Sequence, residues 1–140
     1  MKIRTDFITN SSSSAFVILT KEHLTNTQIK DELIKVLKVP MENFIFPHFG
    51  EDIAKVLVSC IDGELDIHEY IDAYSSAERI EDLQRAGIMG KAIYENYREY
   101  PFIKTGATTN ESDEALEVLL TETDIYFKND KFVIIKDGGY

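Results

Sequence analysis

The chain has 140 residues, 44% hydrophobic and 11% aromatic, with a formal charge of −10. That length and composition fit one globular domain spanning residues 1–140 and exclude a disordered or collagen-like chain. Cys60 is the only cysteine, which excludes an internal disulfide and a zinc site built on cysteines. The charge is uneven. Residues 1–40 carry a net of +2, residues 41–124 a net of −13, and residues 125–140 a net of +1. An acidic middle disfavours DNA or RNA as a direct partner, since phosphates need a basic footprint. It suits a basic protein partner, or simply solvated helix faces.

The chain opens with a polar run, Thr9 to Ser14, between Lys2–Ile8 and the strand-like Ala15–Leu19. Short hydroxyl side chains bond their own backbone and favour turns, so the run reads first as the connection between two strands. A second reading is an anion nest formed by Asn10, Ser11, Ser12, Ser13 and Ser14, with Lys2 and Arg4 supplying positive charge. No nearby glycine lets the backbone close in on a phosphate, and no P-loop lysine is present. A modification or processing site is a third reading. A serine nucleophile lacks the Gly-x-Ser-x-Gly elbow.

The residues Arg4, Phe7, Ile8, Thr9, Asn10, Ser11 to Ser14, Phe16 and Val17 follow a recognisable order. It runs basic residue, Phe, β-branched residue, Ser or Thr, Asn, serine run, Phe and aliphatics. In this order the first twenty residues resemble the openings of many uncharacterised bacterial and phage proteins. Asp6 departs from the pattern where a glycine is common, and Ala15 where a further serine is. The resemblance implies a phage or mobile-element context and no particular reaction or ligand.

Thr25-x-x-Gln28 has capping-box spacing, and Ile29, Leu33, Ile34 and Leu37 recur at helical spacing until Pro40 ends the helix. Phe44, Phe46 and Phe49 read as an irregular connection around Pro47 whose aromatics plug the core, with an exposed aromatic patch for a partner as the alternative. Gly50-Glu51-Asp52 begins a helix whose apolar stripe is Ile53, Val56, Leu57, Cys60 and Ile61, stopped by Asp62-Gly63. On that stripe Cys60 reads as a buried, unreactive small hydrophobe. Asp66 to Gln84 reads as helix with a break at Ser75-Ser76 and an internal cap at Ser75-x-x-Glu78. Gly87 reads as a left-handed C′ residue. Lys91 to Tyr100 is a further helix closed by Pro101. Phe102 to Asn110 reads as a loop. Asn110 or Ser112 caps a last helix through Ala115, Leu116, Leu119 and Leu120. Ile125–Lys128 and Lys131–Ile135 form a hairpin turning at Asn129-Asp130.

Chemistry is sparse. Glu64, Asp66, His68 and Glu69 are close in sequence but match no metal-ligand pattern, and Asp66 and His68 fall on different helix faces. His23, His48 and His68 are scattered, and no phosphate-binding glycine motif is present. No cofactor is implied, and enzymatic activity is the lesser reading. No apolar run approaches a membrane span or a signal-peptide core, so the protein reads as cytoplasmic, without a membrane partner.

The expected fold is α+β, a small antiparallel sheet of N-terminal strands and C-terminal hairpin with four or five helices packed on one side. Its core should include Phe16, Ile18, Leu33, Leu37, Ile53, Leu57, Ile71, Leu116, Leu119, Phe127, Val133 and Ile135. The expected function is a non-enzymatic, acidic protein-interaction module. The partner-binding face would comprise Glu64, Asp66, Glu69, Asp72, Glu78, Glu81 and Asp82. The alternative is a small-ligand or phosphate-binding domain using Asn10 to Ser14 with Lys2 and Arg4.

Overall fold

A computed structural model describes residues 13–41, 49–75, 77–109 and 124–136. In chain order these form β1 (Ser13–Thr20), α1 (Asn26–Met41), α2 (Phe49–Ser59), β2 (Ile61–Leu65) and α3 (Ile67–Tyr74). A 3-10 helix (Ile80–Arg85), α4 (Gly87–Asn96), β3 (Phe102–Thr109), β4 (Ile125–Lys128) and β5 (Phe132–Lys136) follow. The strands make one antiparallel sheet in the order β2-β3-β1-β5-β4, with β1 at its centre. The α+β class and the antiparallel sheet are as the sequence implies. The expected strand at Lys2–Ile8 and the expected helix after Ser112 lie outside the described residues, as do the side chain of Leu37 and both Leu116 and Leu119.

The helices divide between the two faces of the sheet, which corrects the expected one-sided packing. The reason is in the strands. Successive side chains of a strand point to opposite faces. In Phe16-Val17-Ile18-Leu19 and Phe132-Val133-Ile134-Ile135 both sets are apolar, so both faces need cover. Phe16, Ile18, Phe132 and Ile134 pack with Ile29 and Leu33 of α1 and with Ile53, Ala54 and Leu57 of α2. Val17, Leu19, Val133 and Ile135 pack on the other face. Their partners are Tyr70 and Ile71 of α3, Leu83 of the 3-10 helix, and Ala92 and Ile93 of α4. Eight of the expected core residues are buried, and Phe127 is half-buried against the first cluster. Each fully buried aliphatic or Phe side chain contributes about 1.5–3 kcal/mol.

Local signals set several boundaries. Gln28 N donates to Thr25 Oγ1 at 3.2 Å and Thr25 N donates to Gln28 Oε1 at 2.8 Å, the reciprocal pair that the spacing implies. The helix then runs one residue past Pro40. α3 ends at Tyr74. The expected cap at Ser75-x-x-Glu78 is replaced by a tighter bond, Ala77 N to Ser75 Oγ at 3.0 Å, and the next turn starts at Arg79, whose N donates to Asp82 Oδ2. Gly87 has φ +82°, the left-handed conformation expected of it, and α4 begins there, earlier than Lys91.

Two segments read as helix stop and loop are strands. Asp62-Gly63 lies within β2, and Phe102–Thr109 is β3, paired with β1 over its whole length. Gly106 breaks the strand pattern for a steric reason. A Cβ there would come within 2.5 Å of the Phe16 ring and of the Cys60 carbonyl oxygen. The terminal hairpin forms, but its register pairs Lys128 with Val133, so the tip is Asp130-Lys131 and not Asn129-Asp130. Asn129 takes the first position because its side chain acts as a turn acceptor. Its Oδ1 accepts from Lys131 N at 2.8 Å and from Phe132 N at 2.9 Å. Buried Tyr100 fastens the turn from the neighbouring layer, its Oη donating to Asn129 O at 2.6 Å. Among the described residues no helix is long and apolar enough to cross a membrane.

Candidate functional site

The acidic residues of the expected face have three different roles. Asp66 and Glu69 open α3 as a capping box. Glu69 N donates to Asp66 Oδ1 at 2.8 Å, and Asp66 N donates to Glu69 Oε1 at 3.0 Å. Both remain exposed. Asp72, Glu78 and Glu81 come together around a surface cleft of about 430 Å³, beside His68 and Arg79. Arg79 Nε lies 3.9 Å from Glu81 Oε2, and its Nη2 lies 3.7 Å from Asp82 Oδ1. Such exposed pairs contribute only about 0–1 kcal/mol and leave most of the field in place. Residues 66–82 contain six carboxylates against one arginine, a net of −5.

Glu64 belongs elsewhere, which corrects its assignment to this face. It lies on β2 as the cross-strand partner of Lys104 on β3. Lys104 has only 8% of its side chain exposed, and its Nζ is 3.5 Å from Glu64 Oε1. No hydrogen bond is aligned at Oε1, so charge alone holds that end of the pair. The other oxygen is 2.7 Å from His23 Nδ1, and the exposed His23 ring meets Phe102 edge-on at 5.8 Å. The carboxylate is therefore occupied in neutralising a buried lysine. Sequence reasoning missed Lys104 because only the β2–β3 register brings residues 64 and 104 together.

A second concavity lies between the sheet and the layer of α3, the 3-10 helix and α4. Along this face the side chains shrink toward one end: Leu19, Val17, Ala15 on β1 and Ile103, Thr105, Ala107 on β3. The taper leaves a cavity of about 370 Å³. Gly90 keeps α4 close to the preceding turn, since a Cβ there would stand 2.7 Å from Ala86 Cβ and 2.8 Å from Leu83 O. Tyr70 lines the cavity, and burial pushes its phenol above the usual tyrosine range.

The end of the serine run is strand, not loop. Ser13 and Ser14 belong to β1, paired with Thr109 and Thr108. Ser14 is buried, and Thr108 Oγ1 donates to its carbonyl oxygen at 3.5 Å. Lys2, Arg4, Asn10, Ser11 and Ser12 lie outside the described residues. Cys60 is half-buried, because α2 ends at Ser59 before the stripe reaches it. Among the described residues no three His, Cys, Asp or Glu side chains converge as metal ligands. Comparison with protein-family models, curated proteins and solved structures gives no match to this chain.

Proposed function

We propose that the chain is a non-enzymatic protein-interaction module that meets a basic partner through the surface of α3 and the 3-10 helix. One observation carries this reading: Asp72, Glu78 and Glu81 surround one exposed cleft within a segment of net charge −5. Carboxylates at a solvated rim speed and orient encounter with a positive surface more than they tighten the final complex. They repel nucleic acid by the same field. The sharpest version is a host nucleic-acid-binding protein, with these carboxylates standing where its phosphates would lie. The likeness of the N-terminal segment to phage and bacterial openings supports a mobile-element origin, and a single cysteine suits a reducing, cytoplasmic setting.

Capture of host proteins on the immobilised chain, at low and then at high salt, tests the reading. A basic protein retained at low ionic strength and released by salt is the expected result, since screening acts beyond about 10 Å at 0.1 M. Retention that salt leaves unchanged, or an acidic partner, would contradict it.

A further inference from the structure

We propose that the cavity between the sheet and the α3–α4 layer binds a small organic amine, with an aromatic or branched apolar body in the cavity and its ammonium group on Asp62. At about 370 Å³ the space falls within the range of small-molecule sites, roughly 300–1,000 Å³. Its walls are chiefly apolar, with Val17, Leu83 and Met89 among them. Closer packing does not remove it. Gly90 already brings α4 into contact with the turn before it, and the floor positions Ala15 and Ala107 end at Cβ.

Among the described residues Asp62 is the only charged one on the cavity wall. The register between β2 and β3 slips at this residue: Ile61 faces Gly106, Gly63 faces Thr105, and Asp62 is the extra residue of a bulge. Bulges re-aim side chains. Here the carboxylate is directed to Thr105, whose buried hydroxyl donates to Oδ1 at 2.8 Å. That bond fixes the carboxylate and leaves Oδ2 for a ligand. An apolar body in the cavity with a donor cation at its mouth complements this arrangement, whereas an anion is repelled.

The test uses the intact chain and three indole probes of nearly one shape: tryptamine, the neutral tryptophol and the anionic indole-3-propionate. Methyl NMR signals of Val17, Leu83 and Met89 report occupancy. Tryptamine should shift them saturably and bind about tenfold more tightly than tryptophol, the equivalent of about 1.4 kcal/mol, with indole-3-propionate weakest. Asp62→Asn keeps an acceptor for the Thr105 hydroxyl and should erase the tenfold preference without changing the melting temperature. Ala107→Leu should fill the floor and weaken all three probes together. Equal binding of tryptamine and tryptophol overturns the proposal. So does a preference that survives Asp62→Asn, or the absence of a saturable shift at millimolar tryptamine.

Discussion

Replacing Glu64 with alanine removes the carboxylate facing Lys104 and leaves a cation 8% exposed with that partner gone. Removing one member of a buried ion pair costs about 3–5 kcal/mol, mostly the penalty of the stranded charge. Glu64 itself is 20% exposed, so water reaches the pair, and the loss should fall near the lower end, about 3 kcal/mol. Unfolding entropy is about 2.1 cal/mol/K per residue, or roughly 0.3 kcal/mol/K for this chain, so the melting temperature should drop by about 10 °C. Lys104→Met is the informative companion. It replaces the ammonium with an apolar chain of similar length, and Glu64 keeps His23 and solvent. Its effect should be within about 1 kcal/mol of zero, and adding it to Glu64→Ala should restore most of the lost stability. His23→Ala, at an exposed ring, should cost under about 1 kcal/mol. Urea melts of the four variants complete the cycle. A Glu64→Ala protein as stable as the parent, or a double variant no better than the single, would refute the reasoning.

Gly106→Ala should lose about 2–3 kcal/mol in urea melts, because its methyl group meets the Phe16 ring and the Cys60 carbonyl; Phe16→Leu in that background should recover part of it. Asn129→Ala deletes two bonds to the hairpin backbone and should cost about 1 kcal/mol in the same assay. Glu32 is held below the usual carboxylate range by its hydrogen bond from Lys131, aided by Lys35. A lowered native value stabilises the fold above the unfolded pKa, and this contribution is lost as the pH falls through the native one. Lys131→Met should therefore raise the Glu32 pKa in an NMR carboxylate titration and weaken the acid-side dependence of stability.

Legibility in the sequence followed the range of the interactions. Thr25 with Gln28, Gly87 and the two halves of the hairpin act over a few residues, and each formed where its neighbours implied. β3 reads as a loop because glycine and threonine pass for loop composition, although threonine is also a strand former. The threonines serve the strand, and Gly106 answers a ring contributed from ninety residues away. β2 carries Asp62 and Gly63, a poor strand by propensity, and exists through its pairing with β3. The two-sided packing was present in Phe16–Leu19 and Phe132–Ile135, where no polar residue alternates. Of the candidate site, the acidic segment was visible as charge. The removal of Glu64 from it and the cavity at Asp62 both depend on strand register, which neither local composition nor periodicity contains.

The acidic surface is tested most directly by the triple variant Asp72→Asn, Glu78→Gln, Glu81→Gln, measured for partner capture beside Glu64→Gln. These three carboxylates surround the cleft without capping a helix or pairing a buried lysine, so the variant should keep its melting temperature. Loss of the salt-sensitive partner by the triple variant, and its retention by Glu64→Gln, is the result the account predicts. Undiminished capture by a folded triple variant would contradict it.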